Sequence, residues 1–386
     1  MSFMLQVVLL ILCLFSSAFA SPIRFLTVSD IHYGSENSSK EGMDTGDEFL
    51  EITLNEFKKL SNDVDFILFL GDIPTHSLFV TPKKEKFERT VFHGLYEADQ
   101  SSKPMFYITG NNDSLFGNYQ PFELDGKSPL TFATDWTGAC IHCDGLIIDD
   151  SHMRSDGYYS SYVIPDNKDI LLIALNSTQW AKMPILLPKY PNQDRDASAQ
   201  LVWLEEQLKN HHAKQLLIGM HIPPGYSYNG NLFLQERYIQ SLINLLEKYH
   251  SSYDQVTLLT GHTHMDELRK IHLKDNSNLY VYSTPSIGRN HYNNPGMKIF
   301  TLDKQLAIKN YTTYYTTNLH GWGQEQYQAL GASEAIFPNC SDKTLSQCLD
   351  GLSDQQTCNF LEQDLFYGVK SSHVPLNVCH TTYRVN

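Results

Sequence analysis

Short runs of apolar and β-branched residues recur along the chain, at Ile23 to Val28, Phe66 to Leu70, Met105 to Thr109, Ile170 to Leu175, Gln215 to Met220, Val256 to Thr260, Leu279 to Ser283 and Met297 to Leu302. Runs of this length predict strands that are covered on both faces. Between several of them, Thr45 to Leu60, Lys84 to Ala98, Ser198 to Asn210 and Gln235 to Tyr249 repeat apolar residues at helical spacing, which predicts amphipathic helices. Strands that alternate with helices predict an α/β fold. After about Thr317 the pattern changes. Residues 318–386 hold four cysteines, short helical stretches at Gln324 to Ala332 and Asp354 to Leu365, and little strand signal. They predict a small, disulfide-pinned helical region appended to one main domain over residues 21–317.

The first twenty residues lack a charged side chain, carry an apolar run from Val7 to Phe15 and end in Ala18-Phe19-Ala20. This pattern predicts a secretory signal peptide over residues 1–20 and export of the remainder. No later segment reaches the roughly eighteen apolar residues that a spanning helix needs, so no integral membrane segment is expected in the mature chain. Setting aside Cys13, the exported part holds Cys140, Cys143, Cys340, Cys348, Cys358 and Cys379. An even number in an exported chain predicts disulfides. The most economical pairing joins Cys140 to Cys143 and keeps the other four among themselves, in an order that the sequence leaves open. Zinc held by Cys140-Ile-His-Cys143 is the alternative, but a second ligand cluster to complete it is missing.

The balance of 29 basic against 43 acidic residues, net −14, argues against a long nucleic acid as partner. Small phosphate compounds remain compatible with it if metal ions reverse the field locally. Asn37, Asn176, Asn310 and Asn339 stand in Asn-x-Ser/Thr triplets and are candidate glycan sites.

The candidate chemistry lies where the strands stop. Asp30 and His32 follow the first, Gly71-Asp72 the second, Gly110-Asn111-Asn112-Asp113 the third, and His221 and Gly261-His262-Thr263-His264 two later ones. A single strand-end aspartate is usually a cap or turn former. Five metal-capable strand ends in order, most beside a glycine that permits close backbone approach, point to a site at the carboxyl edge of a sheet.

This ordered set resembles the calcineurin-like metallophosphoesterases. Gly71-Asp72-Ile73-Pro74-Thr75-His76, His221-Ile222-Pro223-Pro224-Gly225, His262-Thr263-His264-Met265-Asp266-Glu267 and Asn294-Pro295-Gly296 are similar to the acid sphingomyelinase branch and its sphingomyelinase-like phosphodiesterases. The resemblance implies an α-β-β-α sandwich of two mixed sheets flanked by helices. It also implies two divalent ions, one held by Asp30, His32 and His264, the other by Asn111, His221 and His262, with Asp72 bridging. Imidazole and carboxylate donors suit zinc, with manganese or iron as alternatives. Two such ions can share a hydroxide that attacks phosphorus directly.

The family normally has histidine where this chain has Asn112, a departure that touches the rate or the leaving group. In the sphingomyelinase branch a second catalytic histidine falls at His76. The expectation is that His76 protonates the leaving oxygen while Asn112 only donates a hydrogen bond. Membrane-acting sphingomyelinases carry a saposin domain ahead of the catalytic one, whereas here the first metal motif follows closely on the signal peptide. A small soluble phosphoester of nucleotide or phosphocholine type is therefore the expected substrate, and the chain is expected to act as a monomer. The alternatives are an acid-phosphatase-like phosphomonoesterase and a metal-keeping binding protein whose catalysis Asn112 impairs.

Overall fold

The computed structural model describes residues 21–35, 42–76, 83–317, 328–331, 340, 342–361 and 378–386. Residues 1–20, read as a signal peptide, together with Asn37, Asn339 and the end of the stretch read as helical up to Leu365, lie outside them.

Among the described residues, fourteen strands form two seven-stranded sheets. The first holds β1 (Arg24–Val28), β2 (Phe66–Phe69), β3 (Met105–Tyr107), β4 (Cys140–Ile141), β12 (Gly296–Leu302), β13 (Ile308–Tyr315) and β14 (Gln328–Gly331), in the order β14-β13-β12-β1-β2-β3-β4. The second holds β5 (Ile147–Asp149), β6 (Tyr159–Ile164), β7 (Asn167–Leu175), β8 (Gln215–Met220), β9 (Gln255–Thr260), β10 (Leu268–His272) and β11 (Asn278–Ser283), in the order β10-β11-β9-β8-β7-β6-β5. Each sheet has a parallel centre and antiparallel margins: β1, β2 and β3 run together in one, and β7, β8, β9 and β11 in the other.

The central strands are apolar throughout because both faces are covered; all four residues of β2 and all six of β8 are buried. The sheets face one another across the core, where Tyr159 reaches over to donate its hydroxyl to the Tyr107 carbonyl at 2.9 Å. Outside the first sheet lie α1 (Asp47–Ser61) and α2 (Lys84–Ala98), and outside the second α3 (Gln193–Asn210) and α4 (Glu236–Tyr249). α1 carries Asp47 and Glu48 in its first turn and Lys58 and Lys59 in its last, which complements its dipole. The result is the expected α-β-β-α sandwich.

Among the described residues that follow are three short helices: α5 (Leu345–Asp350), α6 (Asp354–Leu361) and α7 (Val378–Thr382). Disulfides join Cys140 to Cys143, Cys340 to Cys348 and Cys358 to Cys379, so the within-group expectation holds and the open connectivity is resolved. The last residues run beside β10, with Lys270 N–H donating to the Tyr383 carbonyl and Val385 N–H to that of Lys270.

One expectation is corrected. Gln328–Gly331, within the stretch read as helical from Gln324 to Ala332, is β14, paired with β13 from Thr312 opposite Gly331 to Tyr315 opposite Gln328. The open edge of β13 supplies backbone partners there, and that tertiary demand outweighs local helix propensity. The first sheet thus continues past residue 317.

Candidate metal centre

The carboxyl ends of β1, β2, β3, β8 and β9 converge at one end of the sandwich. Immediately after β1, Asp30 and His32 adopt left-handed backbone, with φ of +53° and +49°. Asp72 after β2 (+60°) and His262 and His264 after β9 (+70° and +65°) do the same. This conformation costs a side-chain-bearing residue about 1–2 kcal/mol, so five cases around one point mark a backbone held against its local preference. Hydrogen bonds between neighbouring turns hold it: Asp30 N–H donates to the Gly71 carbonyl at 2.9 Å and His32 N–H to that of Asp72 at 3.1 Å.

The glycines explain how the turns fit. A Cβ at Gly110 would stand 2.1 Å from Asp72 Oδ1, and one at Gly261 would stand 2.0 Å from Ser29 Oγ and 2.6 Å from Asp30 Oδ2. Neither position accepts a side chain without moving a carboxylate.

At the centre, Asp30 Oδ1 lies 3.5 Å from His32 Nε2, 3.4 Å from His264 Nε2 and 3.7 Å from His221 Nε2. Asp72 Oδ2 lies 3.6 Å from His32 Nε2 and 3.2 Å from His221 Nε2. Two of the imidazoles are aimed from behind. His32 Nδ1 is 3.0 Å from the Pro74 carbonyl and His221 Nδ1 is 2.6 Å from that of Leu70, leaving each Nε2 directed inward. Asn111 is oriented likewise: its amide nitrogen donates to Asn118 Oδ1 at 2.7 Å, while its buried Oδ1 has no hydrogen-bond partner. Three groups, Asp30-His32-Asp72, Asp72-His221-His262 and His32-His76-His264, each bring one donor atom per residue within 4.8 Å of one another. Donor type, spacing and the orphaned Asn111 oxygen all fit a pair of divalent cations with Asp72 shared between the groups.

The electrostatics agree. Burial would raise the Asp30 carboxyl, but His221 and His264 outweigh it and hold it well below the usual range; Asp72 is lowered in the same way, chiefly against His221. Burial would lower the imidazoles of His32 and His221, yet the two carboxylates push them up to about 9 and about 10. His262 falls to about 3, through burial and then the proximity of His221. Positive charge is thus demanded at the carboxylates, whether from protons or from metal.

Asn112 is buried, and its backbone N–H and side-chain amide donate to the two oxygens of Asp72 at 2.8 and 2.9 Å. His76 lies at the mouth, with its ring 3.8 Å from that of His32 and its Nδ1 3.0 Å from Asp44 Oδ1. All nine residues singled out from the sequence therefore gather here. The cleft above them, about 310 Å³, is walled by Tyr119, Tyr228, Phe233 and Met265 and also touched by His291.

Sequence reasoning left several supporting residues unassigned. Asp113 accepts the N–H groups of Asp72, Ile73 and Gly110 at 3.0, 2.6 and 2.7 Å, so it ties the β2 turn to the β3 turn. Its place at the end of Gly-Asn-Asn-Asp was an available signal. Lys84 donates from behind to the carbonyls of Asn112 and Ser114 at 2.7 and 3.0 Å. Asp44 carries no local mark, being separated from His76 by 32 positions. The triplet at Asn176 is not a glycan site in the folded chain, since Asn176 is buried and its amide donates to the Asp156 carbonyl at 2.8 Å.

This fold and constellation define a metal-dependent phosphoesterase scaffold, and the calcineurin-like phosphoesterase family model matches residues 23–266, so the chain belongs to that family. Among its relatives, the sphingomyelinase phosphodiesterase D of Dictyostelium discoideum is 27% identical over 309 residues, covering 74% of this chain and 65% of that protein. Sphingomyelin phosphodiesterase 1 of Caenorhabditis elegans is 24% identical over 268 residues, 65% of this chain and 44% of that one. The chain spans less than two thirds of the length of these curated relatives. Among solved structures, a dimetal phosphatase from Danio rerio is similar with a TM-score of 0.48 at 12% identity, over 80% of this chain and 99% of the other.

Proposed function

We propose that the chain is an exported binuclear-metal phosphodiesterase acting on small soluble phosphoesters of nucleotide or phosphocholine type. One observation carries this reading: metal-capable side chains from five strand ends, spread between Asp30 and His264, meet around two buried carboxylates. The relatives are named as phosphodiesterases, which supports the diester class, and the disulfides are consistent with an extracellular or lysosomal compartment.

Asp30, His32 and His264 would hold one ion, Asn111, His221 and His262 the other, with Asp72 shared and zinc the best match to the donors. When bound, the ions supply Lewis acidity toward the phosphoryl oxygens and an activated water. The protein does the rest. Asn112 and Asp113 fix Asp72 and its turn, which sets the spacing of the two ligand groups. Asp44 accepts from His76 Nδ1, which orients the ring so that its other nitrogen can deliver a proton to the departing oxygen at the cleft mouth. Asn112, already committed to Asp72, acts as a positioning residue. Tyr119 and Phe233, both packed edge-on against His262, offer the leaving group a dry aromatic wall.

The test is a substrate panel on zinc- and manganese-loaded protein: bis(p-nitrophenyl) phosphate, p-nitrophenyl phosphate, nucleoside triphosphates and sphingomyelin vesicles. Turnover of the soluble diester and nucleotides is expected. Activity on the monoester alone would make the protein a phosphomonoesterase, activity on vesicles alone would overturn the soluble-substrate reading, and silence on every substrate in metal-replete protein would leave a binding protein.

A further inference from the structure

Ile185 and Leu186 are the two most exposed large apolar side chains among the described residues, at 100% and 96% of full exposure. They sit side by side at the tip of Lys182-Met183-Pro184-Ile185-Leu186-Leu187-Pro188-Lys189, the loop between β7 and α3. Single apolar residues on a surface are ordinary, but two adjacent aliphatics held fully in water are not explained by folding. The loop is also built to present them. A turn closed by Leu187 N–H donating to the Pro184 carbonyl at 3.1 Å forms the tip, and prolines bracket it. Both feet are anchored: Lys182 N–H donates to the Phe233 carbonyl at 2.8 Å, and the Gln120 side chain donates to that of Pro188 at 2.9 Å. Phe233 and Tyr119, the neighbour of Gln120, line the cleft of the metal centre. The tip therefore projects from the aromatic rim of that cleft.

Charge chooses the occupant. Exposed Lys182 and Lys189 flank the apolar tip, while the chain as a whole carries net −14. A protein so acidic is repelled at long range by an anionic surface, so two lysines placed at the contact, within a Debye length of it, matter only for a partner that the tip touches. We propose that this loop docks the protein on a lipid bilayer bearing anionic headgroups, with Ile185 and Leu186 entering the interfacial layer and Lys182 and Lys189 meeting the headgroup phosphates. The contact is shallow and reversible, since two aliphatic side chains and two cations make a weaker anchor than a lipid chain paired with a basic patch. Docking would bring the cleft mouth close to the membrane without requiring the substrate to be a lipid, and it stands independently of the phosphodiesterase reading.

Sedimentation of the metal-loaded full chain with vesicles tests it. Binding is expected to phosphatidylserine-containing phosphatidylcholine vesicles, weaker at high salt, and the double variant Ile185→Ser, Leu186→Ser should lose about tenfold in partitioning. Lys182→Glu with Lys189→Glu should abolish the preference for anionic over neutral vesicles. The circular dichroism spectrum and thermal unfolding midpoint in vesicle-free buffer are the control for folding and should be unchanged in both. Absence of vesicle binding by the unaltered chain, equal binding by the serine variant, or equal binding to pure phosphatidylcholine would overturn the proposal. So would self-association in sedimentation equilibrium that the serine variant loses, because the tip would then be covered by a second copy.

Discussion

Without metal, the carboxylates of Asp30 and Asp72 are balanced by protons on His32 and His221, whose affinities they raise to about 9 and about 10. The sign follows directly. A histidine with a raised folded-state pKa stabilises the metal-free fold fully below its unfolded value near 6.5, and that contribution is lost as pH rises through about 9 to 10. Metal binding requires the neutral rings, so loading at neutral pH should release protons and apparent affinity should climb steadily from pH 6 towards 9. Calorimetry in buffers of differing ionisation enthalpy reads this; a proton count near zero at pH 7 would contradict it. His76 stands apart, at the mouth and paired with Asp44. His76→Ala is expected to lower kcat on the soluble diester by about 10²–10⁴-fold, with bound metal unchanged in elemental analysis. Asp44→Asn should fall between that variant and the unaltered enzyme. Loss of metal from His76→Ala would mean that His76 is a ligand, as its nearness to His32 and His264 also permits.

At the scale of elements, the site depends on turns that only glycine can make. Gly110→Ala drives a methyl group into Asp72, so a loss of about 1–3 kcal/mol in stability together with weakened metal binding is expected from denaturation and elemental analysis. Gly351→Ala, whose nearest neighbour would be the Cys348 carbonyl at 3.3 Å, should leave metal content intact. The Cys358–Cys379 bridge spans 21 positions and tethers the strand-like tail beside β10. Replacing both cysteines with alanine should lower stability by about 3 kcal/mol, read as a fall in denaturation midpoint. These elements also show what was legible beforehand. The eight buried strands and four long helices were plain in the sequence because double-sided burial and helical spacing leave strong periodic marks. The candidate ligands stood out because each closes a strand. β14 was not, because its strand character comes from the open edge of β13 rather than from its own residues. Asp44 and Lys84 were hidden for a related reason: each acts on the site from another segment, and contacts across such separations write no local pattern.

For the whole molecule, the two sheets act as a rigid frame that brings five strand ends to one place, and the ions would contribute stability as ligands of the folded state alone. Chelation should therefore lower the melting temperature, and zinc should restore it. No described helix is long and apolar enough to cross a membrane. The proposed contact of the Ile185-Leu186 tip with a bilayer is a surface contact. The most direct test of the account is metal stoichiometry by elemental analysis of the unaltered chain beside Asp72→Asn. The account predicts two ions per unaltered chain, and loss of at least one from the variant with activity collapsing in parallel. A metal content near zero, or two ions and full activity in Asp72→Asn, would contradict it.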